Sequence, residues 1–311
     1  MSAVLTIVGL AMLCFGGNWL VSGSVSIAKK FRISNLVIGM TIVAYGTSTP
    51  ELAASVAAAG EHSAIILGNI IGSNIANVGM VIGIAAIIVP LAVHKSVLRK
   101  EIPIMLGVSL LLVLISIDGE ISQYDGVLLL AGLVVFAYYT FKDAMKQRAE
   151  NKEENKKEIK QGANNVYLKS AGLIGIGVVL LYVGAILTVD NAVILAKEFG
   201  LSEKIIGLTV IAIGTSLPEL ITSIIAIRKG HADIGIGNII GSNIYNILMI
   251  MGVGAALGGV MVGADVYVDY AIMIIFSLSL LIALKTGIIG RPMGIALTIG
   301  YVAYLIVTFF K

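Results

Sequence analysis

Two short stretches hold the groups in this chain that could do ion chemistry. AYGTSTPEL runs from Ala44 to Leu52 and AIGTSLPEL from Ala212 to Leu220, each inside otherwise apolar sequence. The first sets Thr47, Ser48, Pro50 and Glu51 close together, and the second does the same with Thr215, Ser216, Pro218 and Glu219. Proline has no N–H, so the carbonyl four residues earlier, at Gly46 or Gly214, loses its helical partner. In lipid a freed carbonyl is tolerated only when it is buried in protein or faces a polar cavity, where it can serve as an oxygen ligand. A carboxylate inside an apolar segment is costly and marks function. Paired carboxylates, hydroxyls, amides and carbonyls form the oxygen set that hard cations such as Ca2+ and Na+ prefer.

A second pair of motifs follows the first. GNIIGSNIAN spans Gly68 to Asn77 and GNIIGSNIYN spans Gly237 to Asn246, differing only at Ala76 against Tyr245. Asn69, Ser73 and Asn77, like Asn238, Ser242 and Asn246, recur every fourth residue and therefore share one face of a helix. Such a stripe serves either as hydrogen-bonding glue between helices or as a ligand wall. The ligand role is expected for Ser73, Asn77, Ser242 and Asn246. The glycines Gly68, Gly72, Gly237 and Gly241 have the spacing of close helix packing and are assigned to it.

The elements that must position these groups are membrane spans. The 311 residues are 58% hydrophobic and 13% charged, with a mean hydropathy of +1.01, which is too little polar surface for a soluble globule of this size. The first run of residues lacks a basic lead-in and a small-residue cleavage site, so it is expected to stay as a span. Cys14 lies within it, cannot form an internal disulfide, and is expected to be a small core residue. Apolar stretches long enough to cross the hydrocarbon predict ten spans, near 3–27, 34–59, 64–90, 103–117, 126–141, 169–196, 204–227, 234–262, 268–284 and 292–310. The expected fold is thus an all-α integral membrane protein.

An even number of spans puts both termini on one side. With that side outside, every one of the 21 basic residues except Lys197, Lys204 and Lys311 falls on cytoplasmic connections, as positive-inside topology requires. The expected location is the cell membrane, with both termini outside and residues 142–168, a mixed-charge stretch, as a cytoplasmic linker. At an offset of 168, Ile33–Ser55 overlays Leu201–Ser223, and one further residue of offset aligns the second motif pair. Five spans separate the copies, an odd number, so the halves 1–141 and 169–311 are expected to be inverted-topology five-helix repeats, an architecture of secondary transporters. Asp190, the third acid inside a span, stands opposite Ser22 in the repeat and is expected to have a structural or vestibule role.

With GTSxPE and GNxxGSNxxN present once per half, the chain resembles the sodium/calcium exchanger family of the cation/calcium exchanger superfamily, in its prokaryotic form, over essentially its whole length. The resemblance implies that spans 2, 3, 7 and 8 enclose four cation positions. It implies that Glu51 and Glu219, with the carbonyls of Thr47 and Thr215, hold Ca2+. Ser48, Ser73, Ser216, Ser242 and the carbonyls of Ala44 and Ala212 would help form Na+ positions, with Asn77 and Asn246 near the centre. Spans 1 and 6 would slide across this core. Potassium-dependent members typically carry aspartate where Asn246 stands, and proton-coupled members an extra glutamate near the GN motif; GNIIGSN has neither. The expected activity is therefore Na+/Ca2+ antiport by alternating access, with H+/Ca2+ antiport as the alternative. An open cation channel, which needs no counter-ion, and an intramembrane hydrolase are the other classes considered. No enzymatic activity and no cofactor are expected, and the partners are the two ions and the lipid bilayer, not nucleic acid.

Overall fold

The computed structural model describes residues 1–59, 63–154, 163–200 and 212–310. Apart from two pairs of two-residue strands, the regular structure is helical. Among the described residues seven helices are long and apolar enough to cross a membrane: Ser2–Phe31, Ile65–Ile88, Gln123–Ala149, Tyr167–Glu198, Ala232–Gly258, Val266–Thr286 and Arg291–Thr308. Each coincides with an expected span. Of the other three, 34–59 is interrupted at Ser48, the helix at 103–117 runs from Ile102 to Ile115, and part of 204–227 lies outside the described residues. The fifth expected span, taken to end at 141, continues as one helix to Glu154.

Two helices form the centre. The apolar stretches of Ile65–Ile88 and Ala232–Gly258 are 83% buried, against 17% to 33% for the other five. These are the helices that carry the GN motifs. Each widens into a π turn at the last asparagine of its motif, over Asn77–Ile82 in one and Asn246–Met251 in the other. A π turn rotates the side chains that follow and loosens the backbone hydrogen bonding, and such turns cluster at functional sites. Val97–Glu101 and Gly39–Val43 are π turns as well.

The GTSxPE segments are broken where proline demands it. The Asn35–Thr47 helix stops before Ser48, whose backbone at φ −84 and ψ 9 has left helical geometry, and a new helix, Thr49–Ala58, starts with Pro50 in its first turn. Ser216 repeats this at φ −89 and ψ 4 before Leu217–Arg228, with Pro218 in the first turn. Proline is accepted there because a first-turn N–H has no helical acceptor.

The first helix and the Ala163–Glu198 helix lie antiparallel in continuous close contact. Gly9, Gly16 and Gly23 recur at every seventh residue, opposite Gly184, Gly177 and Ser170. A methyl group added to Gly16 would stand 2.9 Å from the Gly177 carbonyl oxygen, and one added to Gly23 would stand 2.8 Å from that of Ser170. Small residues let backbones approach this closely, which is how helices associate where lipid removes the hydrophobic drive. Leu13 and Leu20 occupy the inner face of the first helix, so Cys14, expected in the packed interior, is exposed on the other side.

The strand pairs tie distant parts of the chain. Leu91–Ala92 pairs antiparallel with Ile288–Ile289, and Glu120–Ile121 with Val260–Met261. The repeat offset that aligns the sequence motifs carries the first pair onto the second.

Candidate cation site

Glu51 and Glu219 are 2% and 1% exposed, and the Glu51 carboxyl faces that of Glu219 at interaction distance. Two carboxylates brought together away from water repel each other and call for a cation or protons between them. Neither is paired with a basic side chain among the described residues.

Around Glu219 the hydroxyls have closed in. Ser48 Oγ lies 3.2 Å from Glu219 Oε1 and 3.1 Å from Ser242 Oγ, and Ser242 Oγ is 3.4 Å from the same carboxylate oxygen. Thr47 Oγ1 donates to Asn238 Oδ1 at 3.0 Å and lies 3.4 Å from Ser242 Oγ. The repeat mates of Ser48, Ser242 and Glu219 are Ser216, Ser73 and Glu51. Around Glu51 the corresponding trio is open, since Ser216 Oγ, Ser73 Oγ and Glu51 Oε2 are all buried without a hydrogen-bond partner. The two halves have nearly the same motif sequence and different hydrogen bonding.

Four of the unsatisfied oxygens come in matched pairs. Glu51 Oε2 and Glu219 Oε2 have no partner, and neither do Asn77 Oδ1 and Asn246 Oδ1. Buried polar atoms are nearly always hydrogen-bonded, and this group of partnerless oxygens has the chemistry that could hold a cation. The amide nitrogens of the same asparagines are engaged: Asn77 Nδ2 donates to Asn243 Oδ1 and Asn246 Nδ2 to Asn74 Oδ1, both at 2.9 Å. Oxygen is left free on each.

The sodium/calcium exchanger protein family matches residues 1–142 and 169–310. The chain belongs to the sodium/calcium exchanger family. As a member it is a multi-pass membrane cation/Ca2+ antiporter. It is 37% identical to the inner membrane protein YrbG of Escherichia coli over 98% of this chain and 96% of that one. It is 32% identical to the sodium/calcium exchanger MaX1 of Methanosarcina acetivorans, with 99% and 98% covered. Among solved structures, the sodium-calcium exchanger NCX_Mj, soaked with Na+ and Sr2+, superposes with a TM-score of 0.85 at 35% identity, covering 98% of this chain and 97% of that one.

In this exchanger the remaining expected ligands fall as follows. Ala44 is fully buried, and its carbonyl accepts from Ser48 N at 3.0 Å and lies 3.3 Å from Thr47 Oγ1. Ala212 opens the Ala212–Thr215 helix, and Thr215 is half-buried, whereas its mate Thr47 is fully buried. Asn69 and Asn238 act as glue: Asn69 Nδ2 donates to Ser55 Oγ and to the Glu51 carbonyl, at 3.2 and 3.3 Å, and Asn238 Nδ2 to Ser223 Oγ at 3.0 Å. Each bond ties a glutamate-bearing helix to its neighbouring central helix. Gly237 and Gly241 pack on the backbone at Leu36 and Met40, as expected of packing glycines, whereas a methyl group at Gly68 or Gly72 meets nothing within 4 Å among the described residues. Asp190 is exposed. Asn74 and Asn243 were not among the expected site residues. They lie one position past the serine on each motif, off the every-fourth-residue stripe, and only their identity in both copies of GSN marked them.

Proposed function

We propose that this exchanger moves Ca2+ one way and Na+ the other through one site reached alternately from the two sides. The matched partnerless oxygens of Glu51, Glu219, Asn77 and Asn246, buried at the centre, carry this reading. Glu51 and Glu219, with the Thr47 and Thr215 carbonyls, take Ca2+. Ser48, Ser73, Ser216 and Ser242, with the Ala44 and Ala212 carbonyls, help form the Na+ positions.

The architecture proposed is ten spans in two inverted five-span halves, 1–141 and 169–311, joined by the cytoplasmic linker 142–168, with both termini outside. The repeat offset supports it, because it relates the strand pairs, the π turns at Asn77 and Asn246 and the breaks at Ser48 and Ser216. The unequal hydrogen bonding of the two trios fits alternating access, in which equivalent halves adopt different states. The glycine-packed pair formed by the first helix and Ala163–Glu198 is the moving part. It passes the site closely: Val178 would crowd a methyl group on Gly46, and Val189 one on Gly214.

Charge then enforces exchange. Two ionised glutamates give the site a charge of −2, and carrying that past lipid costs on the order of several kcal/mol. Bound Ca2+ or bound Na+ cancels it, so loaded states cross and the bare site does not.

Sodium is proposed as the counter-ion because the GN motifs add no acid to the paired glutamates. In proteoliposomes an outward Na+ gradient is expected to drive 45Ca2+ uptake well above an equal proton gradient, with K+ dispensable. Equal uptake from a pH jump without Na+ would give the role to protons, and uptake needing no counter-ion would make the protein a channel.

A substitution at the centre tests the amide ligands. Asn246→Asp replaces an N–H that donates to Asn74 Oδ1 with an oxygen, so the bond survives only while the new carboxyl is protonated. Exchange by this variant is expected to approach the original at low pH, where the site stays at −2, and to depart from it as pH rises and the charge reaches −3. Some K+ dependence is expected on the high-pH side. pH and K+ profiles identical to the unsubstituted protein would remove Asn246 from the ligand set.

A further inference from the structure

Asn74 and Asn243 lie where the two central helices meet, each 1% exposed. Asn74 Nδ2 donates to the main-chain carbonyl of Asn243 at 3.3 Å, and Asn243 Nδ2 donates to the main-chain carbonyl of Asn74 at 3.4 Å. Each also reaches a methionine sulfur, Met273 for Asn74 and Met105 for Asn243. The two side chains thus clasp each other's backbones across the junction of the halves.

This clasp has a direction that chemistry imposes. A main-chain carbonyl can only accept, so the amide nitrogen of each clasping asparagine must point toward it. The amide oxygen then points the other way, toward the asparagine at the end of the opposite half's motif. Asn74 Oδ1 meets Asn246, and Asn243 Oδ1 meets Asn77. Because an oxygen faces them, Asn246 and Asn77 must present N–H there, and their own oxygens are left at the far end of the carboxamide. Those are the oxygens found buried and unpartnered. Turning any one carboxamide over would set oxygen against oxygen and nitrogen against nitrogen along the chain of bonds.

We infer that Asn74 and Asn243 are positioning residues for the ion site: each orients the central ligand of the opposite half so that it offers oxygen. The inference rests on the proposed ligand role of Asn77 and Asn246. It adds that the wiring is crossed, with Asn74 acting on Asn246 and Asn243 on Asn77, although Asn74 and Asn77 are neighbours on one helix. Partners that orient metal ligands typically carry about 10- to 100-fold in affinity.

The test is a double-mutant cycle read by equilibrium 45Ca2+ binding to purified, monodisperse protein. Asn74→Ala is expected to weaken Ca2+ binding about 10-fold or more. Combined with Asn246→Ala it should add little further loss, because the residue it positions is already gone. Combined with Asn77→Ala the losses should come closer to multiplying, as they do for residues that share no bond. If Asn74→Ala does not yield folded protein, the same cycle is run with Asn74→Leu, which fills the space and offers Asn246 no oxygen. A general loss of stability would not distinguish Asn246 from Asn77. Losses that multiply for the Asn74 and Asn246 pair would overturn the inference while leaving the ligand role standing. Unaltered binding in both Asn77→Ala and Asn246→Ala would overturn the ligand role and the inference together.

Discussion

Replacing either Glu51 or Glu219 with glutamine is expected to abolish Ca2+ exchange and to lower Ca2+ affinity by about 100-fold or more, the scale on which ligand charge tunes Ca2+ sites. Glutamine keeps the size of the side chain and one oxygen while removing one of the two site charges. Both carboxyls are buried, each has a partnerless oxygen, and neither is paired with a basic side chain among the described residues, so little in the described fold depends on their charge. The variants should therefore fold, and removing one of two facing charges should not lower their melting temperature in detergent. The two substitutions should differ in one respect. Glu219 Oε1 already accepts from Ser48, so Glu219→Gln should disturb that trio, while Glu51→Gln leaves it intact. Exchange at the original rate in either variant would remove that glutamate from the site.

Gly16→Val and Gly177→Val are expected to stop exchange by a different route. The atoms that a side chain at Gly16 would meet are the Gly177 carbonyl oxygen and the Leu181 nitrogen, both at 2.9 Å, and a backbone cannot swing aside as a side chain can. The helices must part, with an overpacking cost of about 1–3 kcal/mol. Because the glycine-packed pair lies outside the ion ligands, equilibrium Ca2+ binding should survive in whatever protein remains folded, while turnover is lost. Gly175→Ala is the control, since a methyl group there meets nothing within 4 Å. Normal turnover in Gly16→Val would mean that close approach of these two helices is not needed for transport.

How much of this could be read from the sequence depends on how directly each feature is tied to its cause. Proline fixes where a helix must break, and the breaks at Ser48 and Ser216 fall where Pro50 and Pro218 place them. Each glutamate follows a proline inside an apolar stretch, so the burial of Glu51 and Glu219 was legible too. The glycine seam of the first helix was not, because its lipid-facing and protein-facing sides are both apolar and no change of polarity marks the seam; only the seven-residue recurrence of Gly9, Gly16 and Gly23 could have revealed it. The fifth helix runs past the expected end of its span at 141, because charged residues begin at Lys142 and charge ends a span without ending a helix. Asn74 and Asn243 were hidden by helical phase, since their partners lie on another helix. The unequal trios around Glu51 and Glu219 could not be read at all, because nearly identical motifs encode both and the difference is one of conformation.

The central claim is that one set of oxygens built on Glu51 and Glu219 holds either Ca2+ or Na+. It is tested most directly by equilibrium 45Ca2+ binding to the purified protein across a Na+ titration, with K+ or choline holding ionic strength constant. Saturable binding that Na+ displaces cooperatively, that K+ and choline leave in place, and that both Glu51→Gln and Glu219→Gln lose is the expected result. Ca2+ binding that persists in either glutamine variant, or that Na+ fails to displace, would contradict it.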